Sequence, residues 1–355
     1  MNTRLKNGIA LSLILQVLLV KWLGRYPELI ETYYSNGLYR YLSNFFRWVY
    51  GSINFSIGDL LYATLIIISL RYLYIHWKDI RQKPFSFIRD IAVVLSIAYF
   101  SFHILWGFNY YRLPVYKTME LNETYSTEDL LDLTEQLVQN TNDIHYQISL
   151  NDTLQLETPY SQQEIFTKTT AGYHQLKSQF PFLTYENASI KKSMMSTILS
   201  YMGYGGYLNP FTQEAQVNRK IPNFRFPVVT GHEIAHQLGY AAENEANFMG
   251  YLATVNNEDP YFKYTALAYA LSYCLSEVRN LDENHFKELY AKVNRGIQKD
   301  YEELNRFWLS YKNPMEPVFK SLFNTFLKVN NQPQGIQSYS LVVSLLVAYH
   351  KENPL

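Results

Sequence analysis

Residues 227–253 read Pro227-Val-Val-Thr-Gly-His232-Glu233-Ile-Ala-His236-Gln-Leu-Gly239-Tyr-Ala-Ala242-Glu243-Asn-Glu245-Ala-Asn247-Phe-Met-Gly250-Tyr-Leu-Ala253. Proline suits the first turn of a helix and glycine the position just past its end. Pro227 and Gly239 therefore frame a short helix around His232, Glu233 and His236. Histidines at i and i+4 lie on one helix face, one turn apart. Both imidazoles can then reach a single Zn2+ at about 2.0–2.1 Å. Glu233, directly after the first histidine, can serve as general base toward water at such an ion. A plain helix with two hydrogen-bonded histidines and a surface glutamate is the competing reading.

A catalytic zinc needs a third protein ligand. The position six residues past His236 is Ala242, not a histidine, but Glu243 and Glu245 follow at once. In a helix starting here, Glu243, Ala246, Asn247 and Gly250 share one face by i, i+3, i+4, i+7 spacing. That face is small and can pack closely on the histidine helix. Glu243 is therefore the expected ligand, and Asn247 the expected partner of a histidine ring. Glu245 points the other way, with Phe248, Met249 and Leu252, and is the runner-up.

Outward from this stretch the chain reads as α+β and helix-dominated. Ser126 and Asp129 have capping-box-like spacing before a helix that runs to about Tyr146, and a second helix runs from about Ser161 to Gln179. Ser196–Tyr201 and Glu214–Asn218 read as short strands. Between them, Gly203–Tyr207 and Asn209-Pro210 read as turn by composition. After Pro227, helix follows helix, with breaks near Asp259-Pro260, Asn280–Glu283, Asn313-Pro314 and Gln332–Gly335. Leu341–Tyr349 is too short to span a bilayer and should be a core helix.

The first third differs in character. A bilayer core of about 30 Å needs about 20 mostly apolar helical residues. Three stretches qualify, at about 8–23, 57–77 and 91–111, dividing the chain into a membrane region, 1–112, and a folded domain, 113–355. The first apolar stretch has no small-x-small cleavage site after it, which favours an uncleaved span over a signal peptide. Arg4 and Lys6, and the connection carrying Lys78, Arg81, Lys83 and Arg89, read as cytoplasmic. Everything after Arg112 is then expected outside the cytoplasm, with lipid as one partner. Tyr33, Tyr34, Tyr39, Tyr41, Phe45, Phe46 and Trp48 in the outer loop suit either an interfacial amphipathic helix or packing on the folded domain.

Composition excludes other classes. The 355 residues carry 31 basic and 31 acidic side chains, so no basic balance points to nucleic acid. The lone cysteine, Cys274, lies in an apolar-aromatic helical run and reads as a buried, inert thiol.

The pattern His-Glu-x-x-His followed by Glu-x-x-Ala-Asn resembles that of the gluzincins, which use two histidines and a downstream glutamate. Only six residues separate His236 from Glu243, far fewer than in most such enzymes. The resemblance implies a zincin-like metallopeptidase domain holding one Zn2+. It also implies an edge strand that binds extended substrate, for which Glu214, Ala215, Gln216, Val217 and Asn218 are the candidates. Zincins usually place a tyrosine or histidine to stabilise the oxyanion, and Tyr204, Tyr207, Tyr264 and Tyr273 are the candidates. Phe55-Ser-Ile-Gly-Asp59, Trp106-Gly-Phe-Asn-Tyr-Tyr-Arg112, Asn209-Pro-Phe-Thr212 and His232–Gly250 resemble an uncharacterised family of bacterial membrane proteins. That likeness implies three N-terminal spans in the cytoplasmic (inner) membrane and an extracytoplasmic zincin-like domain.

The expected function is hydrolysis of a peptide bond in a peptide or protein substrate. The alternative is a non-catalytic receptor or scaffold on the same fold, against which the presence of Glu233 argues, because metal binding alone does not need a base.

Overall fold

The computed structural model describes residues 2–122 and 124–355. Among the described residues, three helices are long and apolar enough to cross a membrane: α1 (Thr3–Leu23), α3 (Ile57–Ile75) and α4 (Pro84–Leu105). Their side chains are largely exposed, as with Leu15, Ile67 and Val94, which suits a lipid environment. Helix α1 packs along α4, tied by Lys6 Nζ to Asp90 at 2.8 Å and by Gln16 Nε2 donating to Ser96 Oγ at 2.9 Å. The third helix ends at Leu105, short of the 111 expected from sequence. Residues Gly107–Tyr111 form a tight 3-10 turn instead.

Helix α2 (Tyr39–Gly51) answers the question left by its aromatics. Tyr39, Ser43 and Arg47 are buried on one face, while Tyr41, Phe45 and Trp48 are exposed on the other. The buried face docks on the rest of the protein: Tyr39 and Ser43 hydroxyls donate to Gln237 O at 3.0 and 2.9 Å. The segment after the apolar helices is also packed, not free. Arg112 forms a buried ion pair with Glu31 at 2.7 Å and lies 4.3 Å from the Tyr240 ring centre.

The remaining helices build one main core. They include α5 (Thr127–Ser149) and α6 (Gln162–Leu176), both opened by the capping boxes Ser126/Asp129 and Ser161/Glu164. Leu130, Leu137, Phe248, Leu252, Leu271 and Leu346 meet in this core with no exposed area. Each such side chain stabilises by roughly 1.5–3 kcal/mol on burial. Cys274 lies among them, its thiol pushed up to about 12 by burial. The expected core helix near the C-terminus is present as Val342–Glu352 and is mostly buried.

The sheet differs from the sequence expectation in three ways. Ser196–Met202 is a helix, α7, not a strand. It buries Ser196, Leu199 and Ser200, an i, i+3, i+4 face that the β-branched Thr197-Ile198 pair disguises. Gly206–Asn209, read as turn, is strand β2. Glu214–Val217 is a strand, β3, but it is central, in the order β1-β3-β2, with β1 (Ile190–Lys192) parallel to it and β2 antiparallel. Its five residues through Asn218 are fully buried, so they cannot add a substrate strand. The two outer strands are β1 and β2. A tight turn makes the β2–β3 hairpin: Asn209 Oδ1 accepts from Phe211 N and Thr212 N.

Candidate metal site

The motif helix, α8, spans Phe226–Gln237, with Pro227 in its first turn. It ends before Gly239, whose φ of 89° is a left-handed conformation that glycine adopts without strain. The chain then re-enters helix as α9 (Glu243–Val255). The two helices touch through backbone: a Cβ on Gly250 would sit 2.6 Å from His232 N, and one on Gly231 would sit 2.9 Å from Gly250 Cα. Only glycine at both positions permits this approach. The close crossing sets Glu243, two turns upstream of Gly250, over the two histidines.

The resulting geometry is convergent. Glu243 Oε2 lies 3.3 Å from His232 Nε2 and 3.6 Å from His236 Nε2. All three ligand atoms fall within 4.8 Å of one another. A tetrahedral ion with bonds of about 2.1 Å would separate its ligand atoms by about 3.4 Å, so this donor set fits zinc. Glu243 Oε2 is buried without a hydrogen-bond partner, as is Glu233 Oε2. Orphaned carboxylate oxygens in a protein interior are costly unless something binds them. Both rings are held from behind: His232 Nδ1 donates to Asn247 Oδ1 at 2.8 Å, and His236 Nδ1 to Tyr240 O at 2.7 Å. Those bonds put the proton on Nδ1 and turn each Nε2 lone pair toward Glu243.

Electrostatics agree with the geometry. Burial opposes ionisation of Glu243, but the two imidazoles outweigh it and hold the carboxyl well below the usual carboxylate range. Burial likewise disfavours a charged His236, yet the Glu243 carboxylate draws it up to about 9, while burial, and then the neighbouring His236, lower His232. Such a cluster favours positive charge at its centre, which a divalent cation supplies. Burial pushes Glu233 up to about 8.

Glu245, the runner-up ligand, is not at this centre. Its Oε1 accepts from Val115 N at 2.7 Å, and its carboxyl is raised to about 7 by burial. The helical phase of α9 decides this: Glu243 and Glu245 are about 200° apart around the axis. Among the oxyanion candidates, Tyr207 and Tyr264 are engaged elsewhere. The Tyr207 hydroxyl donates to Asp59 Oδ1 at 2.5 Å, and that of Tyr264 to buried Asp300. Tyr204 and Tyr273 line a cavity that also reaches His232 and Glu233. Burial, and then Glu243's charge, raise Tyr204 and Tyr110, while burial and then Tyr273 raise Tyr269. Tyr110 and Tyr269 were not singled out from sequence. Tyr110 sits in the Trp106–Arg112 stretch, and that was the available signal.

The first third of the chain completes the walls. Trp106 Nε1 donates to His236 O at 3.2 Å, and Gln213 Nε2 to Leu105 O at 3.0 Å, docking the end of α4 beside the site. On the other side, Glu214 caps the start of α3: its carboxylate accepts from Ile57 N at 3.1 Å and from Gly58 N at 2.5 Å. Asp59 reaches back to Met194 N at 2.7 Å. Strand β2 is thus sandwiched, with Tyr207 and Asn209 toward α3 and Gly206 toward Glu233, where a Cβ would sit 2.5 Å from Oε1.

The chain belongs to a family described as a protein of unknown function, DUF3810, which matches residues 34–347. No curated protein and no solved structure matches it.

Proposed function

We propose that this chain is a membrane-anchored zinc metallopeptidase with a zincin-like domain, residues 113–355. The reading rests above all on the convergence of His232, His236 and Glu243, with Glu233 one residue from the first ligand and its Oε2 unpartnered. In this reading the three apolar helices cross a bacterial cytoplasmic membrane. The basic connection carrying Lys78, Arg81, Lys83 and Arg89 lies inside, and the site lies outside.

His232, His236 and Glu243 would hold the ion, with Asn247 and the Tyr240 carbonyl fixing the rings. The ion, when bound, supplies Lewis acidity that polarises a carbonyl and makes water acidic near pH 7. With the ion's positive charge beside it favouring the carboxylate, Glu233 would take a proton from water at its free Oε2 and return it to the leaving amine. β2 is an outer strand of the sheet, and the main-chain groups on its unpaired side would receive an extended peptide, antiparallel or parallel to it. Tyr204 is the sequence-derived tyrosine best placed to face the developing oxyanion, from the rim shared by both cavities.

The test compares wild type, His236→Ala and Glu233→Gln, each as the full chain in detergent. Zinc should be near stoichiometric in wild type and in Glu233→Gln, and lost in His236→Ala. Turnover of a mixed peptide library should be abolished in both variants. Turnover that survived Glu233→Gln would defeat the peptidase reading, and zinc binding without turnover in wild type would favour a scaffold.

A further inference from the structure

His232, Glu233, Tyr204, Gly206 and Phe323 lie at the junction of two cavities, of about 350 Å3 and about 310 Å3. The smaller one carries Arg225 and Lys320 in its wall. The larger one contains His236 and Glu243, and its wall also includes Tyr62, Phe102, Trp106, Leu208, Phe211 and Phe326. Two of its walls are the apolar helices themselves. Tyr62 stands in the second turn of α3, and Phe102 in the last turn of α4. Below that mouth the same helices expose Leu65, Ile66, Ile97 and Phe100.

A third wall carries a separate sign of lipid. Helix Glu316–Val329 packs Phe326 against Phe102 and Tyr110, and Phe323 against Tyr204. The same helix leaves Val318, Leu322, Phe326 and Val329 exposed at 45, 64, 40 and 71%, with Phe326 at the border between this stripe and the packed face. These are spaced i, i+4, i+8, i+11, one continuous stripe. An apolar stripe beside the ends of membrane helices belongs at the acyl–headgroup boundary.

We propose that the substrate is the membrane-proximal stretch of another membrane-anchored polypeptide, carrying large apolar side chains, which enters between the outer ends of α3 and α4. This rests on the peptidase reading above. The larger cavity's apolar walls reward apolar side chains near the anchor, and the edge of β2 runs from that cavity to Glu233 to take the backbone. Trp106, one residue beyond α4, touches the His236 carbonyl, so the site stands about one side-chain length from the end of the helix. At about 3.4 Å per extended residue, that spacing places the scissile bond only a few residues from the substrate's anchor.

The test uses the full, zinc-loaded chain in lipid nanodiscs with three synthetic reporters. One places a Phe/Leu-rich stretch directly after a single hydrophobic anchor helix. The second displaces the stretch by about 30 Gly/Ser residues, an r.m.s. reach of about 30 Å, and the third is the stretch as a free peptide. Capture is read in Glu233→Gln carrying Phe326→p-benzoylphenylalanine, so that it does not depend on turnover. Crosslinking should favour the directly anchored reporter at least 10-fold over both others, and wild type should cut it near its anchor. Equal capture of all three, or capture of none, overturns the entry route whatever the peptidase result. Selective capture without cleavage in wild type would uphold the route and overturn the peptidase reading.

Discussion

The Gly231–Gly250 crossing lends itself to a quantitative test with Gly250→Ala. The new methyl would lie 2.6 Å from His232 N and 2.9 Å from Val228 O, both main-chain atoms that cannot swing aside. Ordinary contact at such pairs is about 3.5 Å, so α8 and α9 must part by close to 1 Å. Overpacking of this kind costs about 1–3 kcal/mol. Alanine recovers about 0.5–1 kcal/mol by its better helix propensity, leaving a net loss centred near about 1 kcal/mol. At about 2–4 °C per kcal/mol for a larger domain, Tm should fall by roughly 2–4 °C. The same displacement acts on the site, because His232 is on one helix and Glu243 on the other. A metal centre tolerates about 0.2 Å in its ligand distances, so zinc affinity should fall at least about 10-fold, within the range seen when ligand support is lost. Thermal unfolding with excess chelator reads the first effect, and competition titration against a zinc dye reads the second. Gly8→Ala is the matched control, since nothing lies within 4 Å of its added Cβ. Wild-type stability and wild-type zinc affinity in Gly250→Ala would refute the close-crossing account.

The remaining expectations concern other groups. Asn247→Ala removes the acceptor of His232 Nδ1 and should weaken zinc binding by about 10-fold with turnover retained at saturating zinc, checked by the same titration. Glu243→Ala should lose zinc, whereas Glu245→Gln should keep it, because a glutamine oxygen can still accept from Val115 N; metal analysis of the two purified variants decides. Asp300 is raised to about 7 by burial, above its unfolded value of about 3.9. The folded state therefore binds the extra proton between those values, and its stability falls as pH rises from about 4 to about 7. Asp300→Asn removes that dependence, so the variant should gain on wild type by up to about 4 kcal/mol across the window, read by urea unfolding at pH 4 and pH 8. A constant difference between the two would refute it.

Much of the site was legible in the linear chain because its logic is local. An i, i+4 pair of histidines between Pro227 and Gly239 specifies one face of one helix, and the small face of Glu243, Ala246, Asn247 and Gly250 specifies how the next helix lies against it. Helical phase also separates Glu243 from Glu245 without knowledge of any other element. The three apolar helices were legible for a similar reason: length and hydropathy are properties of a segment, not of its neighbours.

What required tertiary structure was everything set by partners distant in sequence. Whether Glu214–Val217 is an edge or a centre depends on Ile190–Lys192 pairing with it, and a four-residue strand carries no sign of which sides are occupied. Ser196–Met202 takes a helix because a buried face exists for it to fill. Tyr207 and Tyr264 are withdrawn from the site by Asp59 and Asp300, choices invisible among 32 tyrosines. The stretches Phe55–Asp59, Trp106–Arg112 and Asn209–Thr212 stood out in sequence without a reason. The fold supplies it: they are the joints by which the apolar helices clasp the sheet and the motif helix. Local periodicity determined the His232–His236–Glu243 cluster, while long-range hydrogen bonding and packing decided what surrounds it and where it opens.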